Sequence, residues 1–331
     1  MFTKKESNES GHVDFFKYLE GREDVVFQNL FRKKRLLDAQ NDEHKKIRPL
    51  LISLPGIMRG VIGGGQVSAL QDFGLNYVFD NVIGSSAGAP TVSYFVAGQA
   101  KLGTSIYYEE LVQNDFLAFN RFITSRFTKE NIARIDMLCD VFRGKVSNKA
   151  LDIGAILNSR TRVHISATEY ETGKSKIFPF DGKIDLIKLM QASIAMPVLY
   201  STKVDIDGIR YIDGALGSLI PSSEWIDHID PTDIVILANR SQGLNGNYSL
   251  LERHIMKFFI RKLPQPIQYN LLNYNDIVLR DFMRLRSDTK RNYVIVWGDE
   301  ISAYEMNHDK LKTTANDSYH TMMDILRYFQ S

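Results

Sequence analysis

The chain has 331 residues, 44% hydrophobic and 24% charged, and its 41 basic against 39 acidic residues leave a net charge of +2. A balance this close argues against the concentrated basic surface of a nucleic-acid binder. Its one cysteine, Cys139, excludes an internal disulfide framework and fits a reducing compartment.

Residues 1–46 read as a polar extension, partly helical. Its start, MFTKKESNESGHVDFF, has no apolar stretch long enough for a secretory signal, so a cytoplasmic protein is expected, with its first dozen residues mobile. The stretch VVFQNLFRKKRLLDAQ has helical spacing. Its basic run Arg32–Arg35 reads as a solvated helix face, with contact to anionic lipid headgroups as the functional alternative. IRPLLISL is a short apolar run ended by Pro55-Gly56, as a buried strand would be. GVIGGGQVSALQDFG has helical spacing and stops at Gly74. YVFDNVIG is a second strand, and SAGAPTVSYFVAGQA a buried helix. Strand, helix, strand, helix implies a parallel sheet with crossover helices.

Residues 101–160 are mainly helical in pattern, and Cys139 in IDMLCDVF reads as a buried small hydrophobe. RVHISATEYETGKSKIFPF alternates around a Thr-Gly turn and predicts a hairpin at a sheet edge. DLIKLMQASIAMP reads as a helix closed by Pro197, and KVDIDGIRYIDGAL as strands broken by two Asp-Gly turns. TDIVILANR reads as a central strand. Two amphipathic helices are expected over 249–287, then the strand NYVIVW and two last helices. No linker divides 47–331, which reads as one domain whose portion from 249 on is mainly helical. No window reaches the roughly 20 apolar residues of a membrane span.

Within DNVIGSSAGAP lies Gly84-x-Ser86-x-Gly88, a G-x-S-x-G motif with a strand before it and a helix-compatible run after it. That context is what a nucleophile elbow needs: the serine sits at a strained backbone position, and neighbours with side chains would collide with strand and helix. The plain alternative is a small-residue strand–helix turn. A serine hydroxyl needs a base. Asp213, in RYIDGAL, and His228, in SSEWIDHIDP, both follow, and the order Ser86, Asp213, His228 is that of a triad esterase.

Taken together, MRGV at 58–61, FDNVIGSSAGAPTVSYFVAGQA, ATEYETGK, QASIAMPVLY and YIDGAL resemble the patatin-like phospholipases, most of all their bacterial branch. The likeness runs from about residue 48 to the C-terminus. It implies a three-layer α/β/α fold with a central, mostly parallel sheet and a helical C-terminal portion. It also implies cleavage of fatty-acyl esters of lipids, of phospholipase A or lysophospholipase type, by a Ser–Asp dyad through an acyl-enzyme. Ser86 is then the nucleophile and Asp213, with Gly214 and Ala215 completing the D-G-A motif, the general base; His228 takes no part. No cofactor, metal or nucleotide is implied, and the partner is a lipid or phospholipid substrate.

The family's oxyanion loop has the form G-G-G-x-R-G. Aligned through Arg59-Gly60, the residues here are Pro55-Gly56-Ile57-Met58, so two of three glycines are gone. Pro55 has no N–H, and a positive φ is unfavourable for a β-branched residue such as Ile57. The expected donors are the amides of Gly56, Ile57 and Met58. Gly63–Gly65 form a second glycine run, and a register shifted onto them is the weaker alternative. This departure leaves a second functional class, a binding or regulatory protein with impaired chemistry. Arg59 would hold the loop, a lipid phosphate or an ion pair; Asp80 would fix the elbow strand. LLERHIMKFFIRKLPQPI, basic on one side and apolar on the other, reads as a core-packed helix or a peripheral contact with anionic membrane through Arg253, Lys257 and Arg261.

Overall fold

The computed structural model describes residues 15–118, 131–197, 199–243 and 260–331. The chain enters through a short strand β1 (Leu19–Gly21) and helix α1 (Glu23–Asp38), then strand β2 (Pro49–Ser53), helix α2 (Gly60–Asp72), strand β3 (Asn81–Ser85) and helix α3 (Gly88–Val96). Helices α4 (Ala100–Tyr108), α5 (Glu110–Gln113), α6 (Ile135–Phe142) and α7 (Ile153–Leu157) lead to the hairpin β4 (Arg162–Glu169) and β5 (Ser175–Pro179). Helix α8 (Leu186–Ile194), strands β6 (Val204–Ile206) and β7 (Ile209–Asp213), helix α9 (Ser223–Ile229) and strand β8 (Asp233–Leu237) follow. The chain closes with α10 (Gln265–Leu272), α11 (Tyr274–Arg286), β9 (Asn292–Val296) and α12 (His308–Gln330). One long helix thus stands where two were expected, because no breaker interrupts the run after its Asn307 cap, whose side chain accepts from the Lys310 amide.

The strands form one sheet, with β9-β8-β2-β3-β4 parallel and β1 antiparallel on the outer edge of β9. Successive side chains of a strand face opposite ways, and both sets are buried here. Leu51, Val82, Val235 and Val294 belong to the core shared with α1, α2, α3, α8 and α12. Leu50, Ile52, Ile83, Ile234 and Ile295 pack on the other face against Ile226 of α9 and Val278 and Phe282 of α11. The result is the three-layer α/β/α sandwich implied by the sequence.

Residues 15–46 are built into this sandwich. Leu19 pairs with Val296, and Val26, Phe27 and Leu30 are fully buried. The Arg32–Arg35 run therefore differs from its expected solvated face at Lys33, which is fully buried with its ammonium 2.6 Å from Asp80. Asp80 in turn hands its carbonyl to the Arg162 amide and its own amide to the Pro49 carbonyl, fixing the entry to β3.

Strand β4 carries β5 along its outer side, as the alternation predicted. Its other side is shared end to end. β3 occupies it up to the pair Ser85–Ser166, and antiparallel β7 takes over at Asp213–Ala167. Two residues far apart in sequence are thereby brought tip to tip. The run Gly63–Gly65 lies inside α2, so the shifted register is overturned. A Cβ on Gly65 would fall 2.3 Å from the Ala315 carbonyl oxygen of α12, and one on Gly64 2.8 Å from Thr104 Oγ1 of α4. Close helix packing, unavailable to any larger residue, is what offsets the poor helix propensity of three glycines.

Candidate active site

Ser86 stands between β3 and α3 with φ of +53°, a left-handed conformation that non-glycine residues rarely hold. The flanking glycines permit it. A Cβ on Gly84 would lie 2.4 Å from the Gly88 carbonyl oxygen, and one on Gly88 2.1 Å from that of Ser53 on β2. Ser86 Oγ donates to Asp213 Oδ2 at 2.7 Å, and both residues are buried. Asp213 Oδ1 accepts the Ala215 amide at 2.8 Å, and its main chain is held by Thr168 Oγ1 on its carbonyl and by its own amide donating to the Ala195 carbonyl. Burial pushes the Asp213 carboxyl up to about 7, against the opposing pull of the Ala215 N–H and the Ser86 hydroxyl. A carboxylate of that basicity can accept a hydroxyl proton near neutral pH.

Both residues line a partly open cavity whose empty space, open solvent included, is about 780 Å³. Its lining is almost wholly apolar, including Ile57, Leu111, Phe116, Leu138, Phe142 and Met196. Burying apolar surface against such a lining is favourable.

The loop before α2 departs from expectation at two residues. Ile57 does take a positive φ, +54°, despite its branched side chain. Backbone of this kind in a β-branched residue is strained and persists only when its surroundings impose it. Met58, expected as a third donor, is excluded: its amide donates to the Ala303 carbonyl at 3.2 Å. The amides of Gly56 and Ile57 donate to no acceptor among the described residues. Arg59 Nε reaches back to the Gly56 carbonyl at 3.5 Å, and no described carboxylate pairs with it, so it braces the loop.

His228 is exposed in the last turn of α9, ahead of β8. Since β8 runs parallel to β2, and β2 to β3, its start lies at the end of the strands opposite the elbow. Among the described residues no histidine bonds Ser86 or Asp213, so the triad is overturned. Cys139 is buried, which pushes its thiol up to about 12. Among the described residues no cluster of His, Cys, Asp or Glu could hold a metal ion, and no helix is long and apolar enough to cross a membrane. Of the basic helix residues named above, Arg253 and Lys257 lie outside the described residues.

Three supporting residues escaped the sequence reading. Ser193 Oγ, on α8, accepts the Ser86 amide at 2.9 Å. Asn239 bridges the Leu54 carbonyl and the Gly63 amide, tying the loop to α2. Thr168 Oγ1 also accepts the Gly217 amide, at 2.9 Å. All three are fully buried polar residues, a property that their sequence surroundings do not mark and whose partners no local pattern assigns.

A serine elbow opening on an apolar cavity in an α/β/α sandwich is architecture of the lipase and acyl-hydrolase class. The sequence profile described as patatin-like phospholipase matches residues 56–223, half of the chain, which belongs to that family. An uncharacterized protein of Escherichia coli K12, YjjU, is 23% identical over 232 residues, covering 70% of this chain; the chain spans 63% of that relative's length. Among solved structures, VipD from Legionella pneumophila is similar with a TM-score of 0.40 and 12% identity over 85% of this chain and 67% of its own. ExoU of the Pseudomonas aeruginosa type III secretion system, solved in complex with SpcU, gives 0.30 and 14% over 84% of this chain and 60% of its own. Likenesses this loose say nothing about substrate.

Proposed function

We propose that this protein is a serine acyl hydrolase that cleaves fatty-acyl esters of lipids, in the manner of a phospholipase A or lysophospholipase, through the dyad Ser86–Asp213. The observation that carries the reading is the 2.7 Å hydrogen bond from Ser86 Oγ to Asp213 Oδ2 in the wall of an apolar cavity. Asp213 takes the Ser86 proton as Oγ attacks the ester carbonyl. Charge developing on the carbonyl oxygen meets the amides of Gly56 and Ile57 and the positive end of α3. Collapse of the tetrahedral intermediate expels the alcohol, which recovers the proton from Asp213, and leaves the acyl group on Ser86. Water, deprotonated by the same carboxylate, then releases the fatty acid. The substrate would be presented at a lipid surface to a cytoplasmic, peripherally bound protein, its acyl chain entering the cavity.

One observation favours a second reading, a binding protein of the same fold with impaired chemistry: Pro55 and Ile57 replace two loop glycines. The positive φ of Ile57 weighs against it, because the backbone keeps a glycine-like conformation there. A fluorophosphonate probe separates the two. The hydrolase reading expects labelling of wild type, none of Ser86→Ala, and fatty acid released from phospholipid vesicles only by the former. An unlabelled wild type that still binds vesicles would favour the binding protein.

A further inference from the structure

Both members of the dyad are tied by their main chains to one turn, the end of α8. The Ser86 amide donates to Ser193 Oγ at 2.9 Å, and the Asp213 amide donates to the Ala195 carbonyl, two residues further on, at 3.1 Å. Ser193 and Ala195 are fully buried. From below, β4 holds Asp213 through Ala167 and holds Ser85, the residue before Ser86, through Ser166. The sheet alone would leave the elbow free to tilt, because Ser86 lies one residue beyond the last paired position of β3. A buried amide without a partner is costly. The Ser193 hydroxyl supplies that partner in the left-handed conformation of Ser86, and so favours that conformation over its relaxed alternatives.

We propose that Ser193 is a positioning residue for acyl transfer: together with Ala195 it clamps Ser86 and Asp213 to one rigid turn and sets the Oγ–Oδ2 contact. The inference rests on the dyad reading above. It has a consequence for the oxyanion. The Ser86 amide, occupied by Ser193, is withdrawn from the set of oxyanion donors, which leaves Gly56 and Ile57 as the donors from the loop. The clamp also adjoins the substrate, since Ile194 and Met196, flanking Ala195, line the cavity with the dyad.

Ser193→Ala and Ser193→Cys, the second nearly isosteric with a weaker acceptor, test this beside wild type and Ser86→Ala, on a water-soluble p-nitrophenyl ester. With folding checked by circular dichroism and thermal melting, kcat should fall about 10- to 100-fold in Ser193→Ala and less in Ser193→Cys, as a displaced nucleophile requires. KM should stay within about twofold, because the cavity wall is untouched. The readout that a merely structural role would not move is the pH profile. The Ser86 hydroxyl stabilises ionised Asp213, so loosening that bond must shift the acid limb of kcat/KM to higher pH. A folded Ser193→Ala with the wild-type kcat and acid limb overturns the clamp. Should Ser193→Ala not fold, Ser193→Cys with both at wild-type values overturns it equally. Hydrolysis that persists in Ser86→Ala instead overturns the dyad reading, whatever the Ser193 variants do.

Discussion

Asp213 has lost its water: 1% exposed, it keeps the Ser86 hydroxyl and the Ala215 amide as the partners of its carboxylate, and its carboxyl rises to about 7. In the proposed dyad only the ionised form accepts the Ser86 proton, so raising the pKa moves the loss of activity up the pH scale. Hydrolysis of a soluble ester should be half-maximal near pH 7, falling about tenfold per unit below it. Asp213→Asn should abolish the limb along with most turnover, whereas a wild-type profile flat from pH 5 to 8 would contradict a lone buried base. At this scale the sequence was legible where chemistry leaves a motif. Ser86 stands inside G-x-S-x-G and Asp213 before Gly-Ala, so motif reading singles out both, and the structure sets their side-chain oxygens 2.7 Å apart. Met58 was misread because its amide is consumed by Ala303, a partner some 245 positions away that no local pattern could reveal. Ile57 was misread because preference says what backbone costs, and the surrounding contacts can impose the costly form.

Elements were legible wherever a run of residues meets one kind of surroundings. β2 and β8, buried throughout, and β9, buried over its last three residues, appear as apolar runs, whereas β1 is three residues at an edge and leaves no trace. The glycines of α2 show the limit of local reasoning: propensity marks Gly63–Gly65 as a weak helix, and only the packing of α12 and α4 explains them. The same packing makes a prediction of unusual sign. In an exposed helix Gly→Ala stabilises by up to ~1 kcal/mol. In Gly65→Ala the new methyl would stand 2.3 Å from the Ala315 carbonyl oxygen, which is backbone and cannot rotate aside. Overpacking of this kind typically costs about 1–3 kcal/mol. Urea denaturation should therefore show Gly65→Ala less stable than wild type by about 1–2 kcal/mol, and a more stable variant would mean that α2 and α12 sit further apart than described.

The molecule as a whole connects its N-terminal segment to the site through one chain of contacts. α1 buries Phe27 against Phe329 of α12, their rings stacked with centroids 5.0 Å apart, while Lys33 pins Asp80 at the entry to the elbow strand. α12 lies against α2, and α2 begins at the Gly56–Arg59 loop. Removing residues 1–38 would therefore strip Val26, Phe27 and Leu30 from the core and leave the Asp80 carboxylate without its ammonium. It would also open the outer edge of β9, where Leu19 now pairs with Val296. An uncovered edge next to the apolar run of β9 is a template for intermolecular pairing. The truncated protein should aggregate or lose its cooperative thermal transition. Phe27→Ala, which removes one buried ring and no backbone pairing, should fold and remain labelled at Ser86 while losing about 3–5 kcal/mol of stability. Differential scanning calorimetry of the two beside wild type decides the point. A truncation that melts at the wild-type temperature would show that the sandwich from β2 onward is self-sufficient, and that the sheet edge and α1 contribute nothing to holding the elbow.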